Sequence, residues 1–275
     1  MSQNQHGKAK TFAALHAGPE CFVIPNPWDI GTTKILTSMG FKALATTSAG
    51  YAFSRGHLDG VVGRDEMLAH AAEIVAATPL PVSADLENGY GDAPEAVAET
   101  IRLAAGTGLV GASIEDFTGD RDAPIYEFGL ALERIEAAVA AAREQDFPFA
   151  LTARAENFIR GRPDLDDTIK RLAAFEAAGA DVLYAPGLPS LEAIRTVCQA
   201  VSKPVNVVMG LTGGGMTTAQ LAEAGVRRIS LGAVLARTAL GAFMDAAREI
   251  QDGGYTFIDN AASFANISAH MRSQD

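Results

Sequence analysis

Along this chain, short and nearly continuous apolar runs alternate with longer Ala-rich stretches whose apolar positions recur at helical spacing. The short runs predict strands at Phe22–Pro25, Ala43–Thr47, Pro81–Asp85, Gly111–Glu115, Phe149–Arg154, Asp181–Ala185, Pro204–Val208 and Arg227–Leu231. Most lack polar alternation, the pattern of parallel strands covered on both faces. Between them the spacing predicts helices over Ile30–Met39, Arg64–Ala77, Pro94–Ala105, Leu130–Glu144, Leu165–Ala178, Leu191–Ala200 and Thr217–Ala224, and Gly232–Ile250 follows the last strand. Gly40, Gly108, Gly179 and Gly225 each separate a helical run from a strand, where glycine can end a helix in the left-handed conformation. Eight strand–helix units at about 34 residues each match an α/β (β/α)8 TIM barrel. The other α/β candidate, a doubly wound sheet, usually carries a glycine fingerprint after its first strand. Here that position reads Pro25-Asn26-Pro27-Trp28-Asp29, so the barrel is favoured. Residues 1–275 read as one domain, with 251–275 as a C-terminal helical extension that packs on a neighbouring subunit or caps the barrel.

Composition narrows the partners. A formal net charge of −11 argues against nucleic acid, and 48% hydrophobic with 20% charged residues suits a large buried core. No apolar run is long enough to span a membrane, and the N-terminal residues lack a secretory pattern, which places the expectation in the cytoplasm. Cys21 and Cys198 lack metal-ligand spacing and read as buried thiols.

In a barrel, chemistry gathers at the carboxyl ends of the strands. Those ends carry Ser83-Ala84-Asp85-Leu86-Glu87, Ser113-Ile114-Glu115-Asp116 and Thr152-Ala153-Arg154-Ala155-Glu156, with Asn206 on the seventh strand and Thr47-Ser48-Ala49-Gly50 after the second. Four carboxylates leaving two adjacent strands repel one another, and a hard divalent cation relieves that repulsion. Oxygen-only donors point to Mg2+, with Mn2+ possible, at Asp85, Glu87 and Glu115. Arg154 offers a planar fork for a substrate carboxylate, or is an ion-pair partner of Glu156 or Glu87. Blander readings hold elsewhere: Asp29 as a helix cap, Asp116 in a salt bridge to Arg121, Thr118 as turn chemistry, Trp28 as packing.

The same residues carry a family resemblance. ADLENGYG resembles the DADxGYG signature of the isocitrate lyase and phosphoenolpyruvate mutase superfamily, and SIED, TARAE and TTSAG…HLDG are similar to its matching segments in the same order. The resemblance spans roughly residues 20–245. It implies a (β/α)8 barrel that swaps a C-terminal helix between subunits of a homo-oligomer, dimer or tetramer, and that binds Mg2+ and 2-oxo acids or their enolates. By match, Asp85 contacts the metal directly, while Glu87 and Glu115 hold its waters. Ser48 and the Gly50 backbone contact substrate, Arg154 holds its carboxylate and Asn206 lines the pocket. Asp59 falls at the loop aspartate that touches substrate or acts as nucleophile. Two departures matter: Glu87 replaces an aspartate, and the loop Asp116–Glu127 lacks the Lys-Lys-Cys-Gly-His motif of the isocitrate-type lyases.

The expectation is a Mg2+-dependent lyase or decarboxylase acting on a 2-oxo acid, or a 2-hydroxy precursor, with Asp59, Glu115 and Arg154 in catalysis. Ser48, Gly50, Tyr51, Asp85, Arg154 and Asn206 would bind a small 2-oxo acid or dicarboxylate, with no nucleic-acid or membrane partner. Asp59, Tyr51, His57 and Tyr126 are all open as the protonating group. Arg121, Arg160 and Arg162 are candidates for a second carboxylate. Two alternatives are a phosphonopyruvate-type P–C bond hydrolase and a non-catalytic 2-oxo acid binding protein.

Overall fold

The computed structural model describes residues 3–211 and 215–272. Its eight parallel strands are β1 (Phe22–Ile24), β2 (Leu44–Ala45), β3 (Val82–Asp85), β4 (Gly111–Glu115), β5 (Ala150–Arg154), β6 (Val182–Tyr184), β7 (Val205–Val208) and β8 (Arg228–Ser230). They lie in the order β1-β8-β7-β6-β5-β4-β3-β2. The seam between β1 and β2 is bridged by Ala45 N–H donating to Pro25 O at 3.1 Å. Asn26 reinforces it: its Nδ2 donates to Thr46 O at 2.9 Å, and its Oδ1 accepts from the N–H groups of Leu231 and Gly232. The result is the expected (β/α)8 barrel, nearly closed.

Every predicted strand is present, shortened at one or both ends except β4, which matches Gly111–Glu115. Gly40, Gly108, Gly179 and Gly225 all take positive φ at the helix ends. Two helices escaped the sequence reading. The first, α1 (Gln3–Ala17), closes the amino-terminal opening of the barrel, burying Ala9, Phe12 and His16 on one seam. Fully burying Phe12 contributes about 2–3 kcal/mol. Gln5 Nε2 ties the same helix to the carbonyls of Ala105 and Leu109. After α2 (Ile30–Ser38), which Asp29 caps through Thr32, comes the second, α3 (Ser48–Ser54). Its N-cap is Thr47, predicted as the end of a strand.

The outer ring continues with α4 (Arg64–Ala76), α5 (Pro94–Gly106), α6 (Phe128–Arg143), α7 (Leu165–Ala177), α8 (Leu191–Ala200), α9 (Thr218–Glu223) and α10 (Val234–Gln251). Of α10 only Ala236 is buried, and Leu240, Phe243, Met244 and Ile250 face outward. In the C-terminal extension a 3-10 turn (Thr256–Asn260) leads to α11 (Phe264–Met271), which lies against α2 through a Ser38–His270 hydrogen bond of 2.6 Å. Among the described residues no helix is long and apolar enough to cross a membrane.

Candidate active site

The carboxyl ends of β3, β4 and β5 converge because the register sets Asp85 beside Ser113 and Glu115 beside Arg154. Arg154 stands at the centre. Its Nη1 is 3.0 Å from Asp85 Oδ1, its Nη2 2.8 Å from Glu115 Oε2 and its Nε 2.9 Å from Glu156 Oε1. Below it lies the Tyr184 ring, 5.0 Å from the guanidinium carbon. Burial alone would discharge such a group, but Glu115, Glu156 and Asp85 hold it protonated, well above its usual range. Arg160, one turn beyond, reaches Glu115 and Glu156 at 3.4 Å and lies 3.5 Å over the Phe117 ring.

Two further acids face this cluster. Ser48 Oγ donates to Asp85 Oδ2 at 2.8 Å and approaches Asp59 Oδ1 at 3.4 Å, so it links the strand acid to the loop acid. Burial, then Asp85, raises the Asp59 carboxyl above its ordinary value. Glu87 is raised further, to about 8, by burial and then by Asp85 and Asp59. It sits in a turn where both Glu87 (φ 48°) and Tyr90 (φ 61°) adopt the left-handed conformation, a local strain of order 1–3 kcal/mol per residue. The turn is held from outside: buried Arg134 of α6 donates to the carbonyls of Asn88, Gly91 and Asp92. Five carboxyl groups therefore surround two guanidinium groups. Among the described residues no donor reaches the Glu87 carboxyl, and the buried Tyr90 hydroxyl has no partner.

Four of these acids, Asp59, Asp85, Glu87 and Glu115, line a cavity of about 340 Å³ at the mouth of the barrel with Ser48, Arg154 and Arg160, bordered also by Ala49, Leu211 and Arg237. Beneath it, a void of about 60 Å³ inside the barrel touches Asp85, Arg154, Tyr184, Asn206 and Arg228.

Among the residues nominated from sequence, Asp59, Asp85, Glu87, Glu115, Arg154 and Ser48 border the mouth cavity together. The others lie elsewhere. Gly50 N–H donates to Thr47 Oγ1, and Ala49 borders the cavity instead. Tyr51 stacks on His70 at 3.9 Å and its hydroxyl donates to Glu66. Tyr126 is engaged with Asp92 at 2.6 Å, and His57 is exposed on its turn. Asn206 sits lower in the barrel, accepting from Arg228 Nε and donating to Ser230 Oγ. Asp116 pairs with Arg171 at 3.1 Å rather than with Arg121. Arg121 and Arg162 are exposed. Thr118 is turn chemistry, its hydroxyl donating to Ala123 O. Sequence reasoning missed Tyr90 and Arg237. The first stood inside the quoted signature, whereas Arg237 lay on the helix after the last strand and had no local signal.

The donor set is all oxygen and carries an excess of negative charge, which suits a hard divalent cation. As they stand, no three acidic, imidazole or thiol side chains converge on one point among the described residues, because the Arg154 guanidinium fills the gap between Asp85 and Glu115.

Residues 12–251 match the phosphoenolpyruvate phosphomutase family. The chain belongs to that family, within the isocitrate lyase/PEP mutase superfamily. A crystal structure of a candidate lyase/mutase from Burkholderia cenocepacia J2315 is 57% identical, covers 100% of this chain and 99% of its own, and superposes with a TM-score of 0.97. The oxaloacetate decarboxylase of Chromohalobacter salexigens is 26% identical, over 90% of this chain and 87% of its own length. A 2,3-dimethylmalate lyase structure is 27% identical over 96% of this chain and 95% of its own, with a TM-score of 0.85.

Proposed function

We propose that this chain is a Mg2+-dependent lyase or decarboxylase acting on a 2-oxo acid. The observation that carries the reading is Arg154 bonded to Asp85, Glu115 and Glu156 beside a cavity sized for a small acid, which Asp59 and Glu87 also line. Membership of the family, whose relatives include named lyases and a decarboxylase, supports it. Asp85, Glu87 and Glu115 would hold the cation, with Mn2+ as the other candidate. Such an ion supplies Lewis-acid stabilisation of the charge that collects on a keto oxygen.

The chain's own residues do the rest. Arg154, kept charged by its acids, presents the planar fork that a substrate carboxylate requires. Ser48 fixes the Asp85 carboxylate by its 2.8 Å hydrogen bond. Asp59, raised by burial and by Asp85, is the group in the cavity best placed to move a proton, since Tyr51 and Tyr126 are engaged elsewhere. The turn that carries Phe117 and Thr118 and the turn that carries Asp59 face each other across a second opening, where water can be admitted or excluded.

Proton NMR in D2O, with Mg2+ and a panel of 2-oxo acids, tests this reading. Deuterium should enter beside the carbonyl, or a cleavage product appear, with Glu115→Gln reduced at least 100-fold. Phosphate release from phosphonopyruvate would replace the reading with P–C hydrolysis. Saturable binding with neither exchange nor product would leave a 2-oxo acid binding protein.

The exposed apolar residues in the second half of α10 support a homo-oligomer, in which a second copy covers Phe243 and Ile250, beyond the turn that carries Arg237. A monomeric mass in sedimentation equilibrium would refute that part.

A further inference from the structure

We infer that Arg237 is a specificity-determining residue, which receives a second anionic group at the end of the substrate remote from Arg154. This rests on the reading of the cavity as a 2-oxo acid site and deepens it.

Three arginines border the mouth cavity: Arg154, Arg160 and Arg237. Arg154 is bonded to three carboxylates. Arg160 faces Glu115 and Glu156 and is pinned over Phe117. Arg237 differs in having no acidic side chain within ion-pair distance among the described residues.

Nor does stability explain it. Arg237 lies near the amino end of α10, where the helix dipole disfavours a cation, and that helix has no acid in its first turn. The residue is exposed, so its side chain gains little from packing. Yet its backbone is anchored. Ala236, just before it, is buried, and a Cβ on Gly50 would stand 3.4 Å from the Ala236 methyl. A fixed backbone therefore carries an unpaired guanidinium at the rim of a cavity whose other two arginines already face protein carboxylates, which a substrate carboxylate on Arg154 has to share. A carboxylate is the ligand that a guanidinium fork pairs with best.

Contact at a non-reacting group changes binding more than the chemical step, so the signature belongs in KM. The test compares 2-oxoglutarate with 2-oxobutyrate as dicarboxylic and monocarboxylic 2-oxo acids, with kcat and KM read from deuterium exchange beside the carbonyl, and succinate with propionate as unreactive ligands followed by calorimetry. In Arg237→Gln, the ratio of kcat/KM for the dicarboxylic over the monocarboxylic acid should fall about tenfold or more, through KM. Arg237→Lys should recover part of the loss. A ratio within twofold of the unsubstituted chain, or a fall in kcat alone, overturns the inference. If no 2-oxo acid reacts but succinate affinity falls about tenfold in Arg237→Gln while propionate affinity does not, Arg237 keeps its role and the lyase reading fails. If 2-oxo acids react and the two unreactive ligands respond equally, the lyase reading stands and Arg237 loses its role.

Discussion

Arg154 and Arg228 both lie inside this barrel, one at each end, and their surroundings are opposite. Arg154, at the mouth, is ringed by Asp85, Glu115 and Glu156 and held charged well above its usual range. Arg228, at the floor, meets neutral acceptors: Asn206 Oδ1 at 2.8 Å, Thr152 Oγ1 at 3.0 Å and His16 Nε2 at 3.3 Å. Desolvation lowers Arg228 to about 10. The same side chain thus acts as an electrostatic hub at one end and as a hydrogen-bonding plug at the other. The mouth stores charge that a ligand can answer, while the floor only closes the barrel.

Substituting each arginine by methionine tests that contrast most strongly. Arg154→Met leaves Asp85 without a cation and Glu115 and Glu156 with Arg160 alone, and should cost about 3–5 kcal/mol in urea unfolding, with activity lost. Added Mg2+ should restore part of the stability. Arg228→Met strands no carboxylate and should cost less, about 1–2 kcal/mol, for the lost hydrogen bonds. The reverse order of the two costs would erase the distinction between mouth and floor.

The floor also predicts a pH response of its own. His16 donates from Nδ1 to Phe12 O and accepts at Nε2 from Arg228, which fixes it as neutral imidazole. Burial first, and then the neighbouring guanidinium, pushes it down to about 3 from the ordinary 6.5. Between those values the unfolded chain binds more protons than the folded one. Stability is therefore fully present above about 6.5 and is lost as pH falls toward 3, by about 2 kcal/mol at pH 5. Denaturation of His16→Gln across pH 7 to 5 should lack that slope. An identical slope in both proteins would show that His16 is not its source, and the mouth acids Asp59 and Glu87, whose raised carboxyls favour the folded chain as pH falls, would not supply it either.

How much of this was legible depended on whether the signal was local. The strands were, because each is an apolar run ended by Gly, Pro or a polar cluster, and so was the convergence of Asp85, Glu115 and Arg154, because barrel geometry places strand ends together. α3 was not: Ser48–Ser54 is short, uncharged and lacks helical periodicity. α1 hid behind a polar first half, its seam visible only at Ala9, Phe12 and His16. The pairing of Arg154 with Glu156 was foreseeable as one alternative from their spacing. The roles of Arg228 and Arg237 depend on which neighbours they lack, and no local pattern encodes an absence.

Asn206 offers the smallest and most discriminating change. The family resemblance nominates it as a substrate contact, yet its amide bridges Arg228 and Ser230 in the layer below the cavity. Asn206→Asp keeps the shape and gives Arg228 the carboxylate partner it lacks. A charge-assisted bond then replaces a neutral one, offset by desolvation of the new anion. Ser230 Oγ can turn to donate where it previously accepted. The expected net effect on unfolding is within about 1 kcal/mol of zero, with turnover within about twofold. Were Asn206 instead to touch substrate, a negative charge in its place would repel the acid and turnover would collapse. Kinetics and unfolding of this one variant thus decide whether the functional site ends at Arg154 or reaches the floor.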